Sequence, residues 1–172
     1  MEEQTKKPRA KKTEKTQPKS DSSGNLIAVV RIKGEVKVKP KVKYTLDKLR
    51  LRKKYVCILL NSDNKALMGM LNIVKHSVAF GNIERETLVK LIAARAQTIR
   101  PAGAGVQKEE KINPESAADE LIGGKKLEEL KIKPFFRLHP PRGGIDSKIQ
   151  YTNGGVLGNN KQAINKLIER ML

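Results

Sequence analysis

The chain has 172 residues and a formal net charge of +18, from 36 Lys and Arg against 18 Asp and Glu. That length holds one domain with appendages and excludes two full-sized ones. A charge so one-sided opposes compaction unless a polyanion shares the surface, and nucleic acid is the expected partner. No apolar run approaches the roughly 20 residues of a spanning helix, and no apolar segment follows the charged N-terminus as in a signal peptide. A soluble, intracellular protein with no membrane partner is therefore expected. Cys57, the single cysteine, lies in the apolar run VCILL, which reads as a small buried hydrophobe and rules out a disulfide within one chain.

In chain order, residues 1–25 hold no aliphatic or aromatic residue beyond Met1 and Ala10. Nothing there offsets the entropy of ordering, so this is a basic tail, either an arm that orders on nucleic acid or a solvated leader. LIAVVRIK (26–33) and YVCILLN (55–61) read as strands buried on two faces. Between them TLDKLRLRKK places Leu46, Leu49 and Lys53 at helical spacing with Thr45 as cap. Strand, helix, strand predicts a parallel pair with a right-handed crossover. A second helix follows, capped by Asp63 or Asn64, with Leu67, Met70, Leu71 and Val74 on one face. SVAFG (77–81) has the length of a third strand, and Leu88, Leu91, Ile92 and Arg95 mark a third helix.

PAGAGVQKEEKI is a Gly/Pro-punctuated connector. After it Asn113, Pro114 and Gly123 stand where a helix takes its N-cap, first residue and stop. KKLEELKIK is ambiguous. The last segment, NNKQAINKLIERML, puts Ile164, Leu167, Ile168 and Met171 on one face, so it packs on the domain. The predicted organisation is a tail at 1–25, an α+β core at 26–100 with helices on one face of a small sheet, and an extension at 101–172 ending in a helix.

The charge is patterned. Between Arg31 and Lys54 stand eleven basic residues and two acidic ones, half of the net excess in 24 residues, while acids gather at Glu84–Glu86 and from Glu109 to Glu129. In GEVKVKPKVK (34–43), Lys37, Lys39, Lys41 and Lys43 project from one side of an extended chain, about 6.6 Å apart. Pro40 excludes the centre of a sheet. The stretch reads as a loop gripping phosphates, anchored by Val36, Val38 and Val42; the competing reading is a solvated edge protected by lysines. Arg50, Arg52, Lys53 and Lys54 extend the basic surface, though cations there also suit a helix C-terminus.

PFFRLHPPRGGI (134–145) joins Arg137, His139 and Arg142 to two of the three phenylalanines, with Pro140, Pro141, Gly143 and Gly144 opposing regular structure. Rigid prolines, permissive glycines and bidentate arginines suit an irregular RNA surface. Phe135 and Phe136 can stack on bases, but so few aromatics are present that at least one is expected to anchor the core. GGVLGNNK (154–161) departs from the phosphate-loop spacing. Its glycines can still offer amides to an anion at a helix starting near Asn159 or Asn160, or simply form a turn. With two histidines and one apolar cysteine, neither a zinc cluster nor a Cys/His dyad is built. No enzyme, cofactor, metal or small-molecule substrate is expected.

LIAVVRIKG, TLDKLRL, NKALMGMLNIVKH, FRLHPPRGG and GGVLGNNKQAINKLIERML, in this order and spacing, resemble the large-ribosomal-subunit protein thirty family in its archaeal and eukaryotic form. The resemblance covers about residues 26–172, and the lysine-rich leader departs from it. It implies a ferredoxin-like fold, a cytoplasmic ribosomal location, a structural role, and large-subunit rRNA and neighbouring ribosomal proteins as partners. It also implies RNA contacts at 31–43 and 138–144, the two stretches chosen above. The expected RNA-binding set is Arg31, Lys33, Lys37, Lys39, Lys41, Lys43, Arg50, Arg52, Lys53, Lys54, Arg137, His139, Arg142, Gly143, Gly144, Lys148, Asn159 and Asn160. Two other classes compete with this reading, a nucleotide-dependent assembly factor using GGVLGNNK and a DNA-packaging protein.

Overall fold

LIAVVR forms β1 (Leu26–Arg31), and its side chains alternate between two apolar environments. Ile27 and Val29 face one side, Ala28 and Val30 the other, and all are buried. A strand apolar on both sides belongs at the centre of a covered sheet. The structure, a computed structural model that describes residues 26–99 and 113–172, places it there. On either side lie β2 (Val56–Asn61) and β3 (Val78–Asn82), both antiparallel to β1. Two-residue strands β4 (Phe136–Arg137) and β5 (Gly158–Asn159) form the edges, giving the order β4-β2-β1-β3-β5. The leader at 1–25 and the connector PAGAGVQKEEKI lie outside the described residues.

The α+β, ferredoxin-like class read from the sequence holds, but helices cover both faces of the sheet instead of one. On the first face, α1 (Pro40–Lys48) and α2 (Lys65–Val74) bring Leu46, Leu71 and Val74 against Ile27 and Val29. On the second, α3 (Arg85–Arg95), α4 (Pro114–Ile122) and α5 (Ala163–Glu169) bring Leu88, Leu91, Ala118, Leu121, Ile164 and Ile168 against Ala28 and Val30. Both faces need cover because β1 exposes branched side chains to both. Cys57 is fully buried there, and burial pushes its thiol up to about 12, so it is the small hydrophobe the sequence suggested.

Two expectations about the first unit fail together. β1 and β2 are antiparallel, not parallel. The helix between them starts at Pro40, not beyond Thr45. Pro40 takes the first helical position, where its missing N–H is no loss. Thr45 sits inside the helix and its hydroxyl donates to the Lys41 carbonyl at 2.9 Å. Nine residues make a helix about 13.5 Å long. The chain then reverses sharply, with Leu51 N–H donating to the Leu46 carbonyl at 2.8 Å and Arg50 N–H to Asp47 at 3.0 Å. This six-to-one and five-to-two pair is a Schellman turn, and the buried Leu51 seals it. The excursion therefore returns to the end of the sheet it left, where Tyr55 N–H donates to the Arg31 carbonyl at 2.8 Å. The parallel crossover belongs to the next unit, in which α2 carries the chain from β2 to β3 with β1 between them.

Local signals elsewhere read correctly. The Asn64 side chain caps α2, accepting from the Ala66 and Leu67 amides at 3.1 and 3.3 Å. Asn113, Pro114 and Gly123 bracket α4. Ile164, Leu167, Ile168 and Met171 are all buried. PFFRLHPP is less irregular than its composition suggests, since Phe136 and Arg137 pair with Cys57 and Val56. Continuing that register sets Pro134 opposite Leu59, and a residue without N–H cannot extend the ladder, which is why β4 is so short. Phe136 is fully buried and pins this edge to the second face. Phe136→Ala is expected to destabilise by about 3–5 kcal/mol, read as a lowered denaturation midpoint.

Candidate nucleic-acid interface

Antiparallel pairing decides where the charge goes. β1 ends, and β2 and β3 begin, at one end of the sheet; β4 finishes there as well, since Arg137 pairs with Val56. The loops at this end are tied to one another. The Ser77 carbonyl accepts the Ile32 and Lys33 amides at 3.2 and 3.1 Å, and Leu138 N–H donates to the Tyr55 carbonyl at 2.9 Å. Gln150 Nε2 and His76 Nδ1 lie 2.9 Å apart. The two ends of the stretch 31–54 thus meet the stretch 137–144 at one end of the sheet, while Lys48 and Arg50 lie beside Leu26 and Asn61, toward the other.

Arg31 is not part of that surface. It is 2 % exposed, and its guanidinium is spent on backbone: Nη1 donates to the Leu51 and Arg52 carbonyls at 2.6 and 2.5 Å, and Nε to Lys33 at 3.0 Å. Burial lowers its pKa, and Glu35 and Asp47 oppose that shift. It is a brace linking both ends of the excursion, a role that its position at the end of an apolar strand did not reveal.

The remaining cations of this region divide between loop and helix. Lys33 is half-buried; Lys37 and Lys39 are exposed in the loop, Lys37 with a left-handed φ of 58°. Lys41 and Lys43 are exposed on α1, so the predicted row of four lysines on an extended chain does not exist. Nor do the valines anchor as a set, since Val42 packs on the core while Val36 is 85 % exposed. Arg50, Arg52, Lys53 and Lys54 are exposed on the returning loop. That loop approaches the first at Gly34, where a Cβ would stand 2.7 Å from Lys54 Cε. Arg50 occupies the left-handed position of the Schellman turn, φ 61°, normally a glycine site.

On the neighbouring stretch, Arg137 is exposed with its guanidinium 5.8 Å from the Phe135 ring centre, while Phe135 packs on the first-face core. His139 and Arg142 are exposed, with their amides bonded to the Met171 and Arg170 carbonyls at 3.0 and 2.8 Å. Gly143 and Gly144 both have φ near +75°, a pair of left-handed residues that requires glycine. Arg170, which no motif marked, braces this turn: Nε donates to the Arg142 carbonyl at 2.9 Å and Nη2 to Gly144 at 2.6 Å. Lys148 is exposed two residues before Gln150. Lys75 and His76, also unmarked, are exposed beside Ser77 at the same end.

Asn159 and Asn160 do not join this group. Asn159 ends the edge strand β5 and Asn160 follows it, toward the other end of the sheet, where Asn160 is buried and its backbone N–H donates to the Phe80 carbonyl at 2.8 Å. Gln162, not either asparagine, precedes α5, and Gly158 is part of β5, so GGVLGNNK forms a sheet edge and not a phosphate loop. Among the described residues no group of three or more His, Cys, Asp and Glu could hold a metal ion.

The two ends differ in how charge is compensated. Toward α3, α4 and α5, Arg85 grips Asp119 at 2.8 and 3.0 Å and Lys90 meets Glu169 at 2.6 Å; these bonds raise the pKa values of Arg85 and Lys90 and lower that of Asp119. At the basic end, Glu35 stands 3.8–3.9 Å from Arg31 and Lys43, and Asp47 3.9 Å from Arg52. Among the described residues, only Arg50 of the cations of 31–54 has a close acid, Glu128 at 2.9 Å. Fixed loops bearing uncompensated cations can neutralise a polyanion without rearranging.

Such a scaffold defines a class: a small basic α+β protein that presents one rigid cationic end. Residues 27–78 match the family model described as ribosomal protein L30p/L7e. A large ribosomal subunit protein uL30 from Desulfurococcus amylolyticus is 44 % identical over 160 residues, 86 % of this chain and 98 % of the relative. Its counterparts from Staphylothermus marinus and Ignicoccus hospitalis are 39 and 37 % identical, each over 99 % of its own length. The chain belongs to this family, whose members are ribosomal proteins and not enzymes.

Arg50 allows a test of local strain against ion pairing. A left-handed non-glycine residue costs about 1–2 kcal/mol, partly offset by the greater unfolded entropy of glycine, and an exposed pair contributes about 0–1 kcal/mol. Arg50→Gly is therefore expected to leave thermal stability unchanged or slightly raised. A loss above about 1 kcal/mol would show that the Glu128 pair outweighs the strain.

Proposed function

We propose that this chain is a structural constituent of the large ribosomal subunit, and that it binds large-subunit rRNA through the basic end of its sheet. Family membership supports the subunit; the surface supports the mode of binding. The observation that carries the reading is the junction of two basic stretches, 83 residues apart between Tyr55 and Leu138, by the β2–β4 pairing and the Leu138-to-Tyr55 backbone hydrogen bond beside it. Lysines and arginines on the two loops and on α1 neutralise phosphates, and the braced turn at Arg142–Gly144 offers backbone and guanidinium to an irregular stretch of RNA. Neighbouring ribosomal proteins are further partners on this reading. No helix among the described residues is long and apolar enough to cross a membrane.

Binding of this kind releases counterions, with log affinity falling by roughly 0.7–0.9 per phosphate contact as log salt rises. The triple variant Lys37→Ala, Lys41→Ala, Lys53→Ala is expected to weaken binding to large-subunit rRNA and to make the slope shallower by about 2–3. Filter binding across a potassium chloride series measures both. An affinity that stays flat with salt in the unsubstituted protein would refute the reading.

A further inference from the structure

The chain has three tyrosines and three phenylalanines and no tryptophan, so each aromatic ring must be accounted for. Phe80, Phe135 and Phe136 pack in the two cores, Tyr55 packs against the second, and Tyr151, 42 % exposed, lines a cavity it shares with Glu84 and Glu86, acids that disfavour a phosphate there. Tyr44 does none of these. It lies on α1, 64 % exposed, on the side turned away from the buried Thr45 and Leu46. One helical turn before it stands Lys41 and one turn after it Lys48, all three exposed on one stripe of the helix. Lys48 Nζ lies 5.3 Å from the ring centre. The loop leading into this helix carries Lys37 and Lys39.

An exposed ring framed fore and aft by cations has the makings of a nucleotide seat. The cations take the phosphates on either side of one nucleotide, and the ring takes its base. Within an A-form duplex the bases are stacked on each other and inaccessible, so the base must be unpaired. We propose that Tyr44 stacks on one unpaired base of the RNA, with Lys41 and Lys48 holding the flanking backbone. The proposal rests on the rRNA-binding reading and adds to it a single-stranded or bulged nucleotide at α1. Phosphate neutralisation alone carries no such requirement.

The test is filter binding of the full chain to large-subunit rRNA transcribed in vitro, across a potassium chloride series, for Tyr44→Ala, Tyr44→Phe and Lys41→Ala. Tyr44 is exposed, so these proteins should fold alike, which their melting curves verify. Stacking predicts that Tyr44→Ala binds about tenfold more weakly with an unchanged salt slope, and that the ring kept in Tyr44→Phe recovers most of the affinity. Binding of Tyr44→Ala within about twofold of the parent overturns the proposal. If Tyr44→Ala makes the slope shallower by about one, the ring serves only to place Lys48, which also overturns it. Lys41→Ala separates the two readings: a slope shallower by about one with no Tyr44 effect leaves rRNA binding standing without the stacked base.

Discussion

The basic end of this protein depends on one buried guanidinium. Arg31 closes β1 and collects the carbonyls of Leu51, Arg52 and Lys33, which otherwise would be buried or half-buried acceptors without donors. Hydrogen bonds to a charged group contribute about 1.5–3 kcal/mol each, enough together to offset much of the desolvation of one cation. Geometry also demands arginine. A planar fork can meet three carbonyls from two directions, whereas an ammonium on a flexible stem cannot hold them in fixed relation. The result is that the loop leaving β1 and the loop returning from α1 are held to the same point, and Arg50, Arg52, Lys53 and Lys54 are carried on backbone that does not drift.

Around that point the remaining loops are added by backbone hydrogen bonds, Ser77 to Ile32 and Lys33, Leu138 to Tyr55, and Arg142 to Arg170. The C-terminal half thus completes the sheet at both edges and delivers a second basic turn to the first. Fixing cations in advance lowers the conformational entropy lost on binding. It also concentrates like charge, which works against the free protein's stability. A polyanion seated on this end would relieve that repulsion, so on the proposed reading RNA binding and folding stability reinforce one another.

Much of this was legible in the sequence where the signal is local. Asn64 before α2 and the trio Asn113, Pro114 and Gly123 around α4 act within one helical turn, and each stands where the chain placed it. The two-sided burial of β1 and β2 followed from unbroken runs of branched residues. Strand direction was not legible, because strand-helix-strand order fits either a crossover or a return, and the choice was made by a Schellman turn at Arg50, a residue that hides the usual glycine signature. Pro40 was read as a strand breaker when it is a helix starter. β4 and β5 are too short to show a period. Of the candidate site, the exposed lysines and arginines were visible as charge. Arg31 and Arg170 were misread or missed because bracing backbone carbonyls across the fold leaves no trace in spacing.

The most direct measurement is the affinity of Arg31→Lys for large-subunit rRNA at fixed salt, taken below the variant's melting temperature. The substitution keeps the charge and removes the fork. Re-ordering two or three loosened side chains at about 0.5–1.5 kcal/mol each costs about 1–4.5 kcal/mol in all, which predicts a loss of at least about fivefold. Binding equal to that of the parent protein would mean that the cations act as a diffuse coat, and that a fixed basic end has no part in recognition.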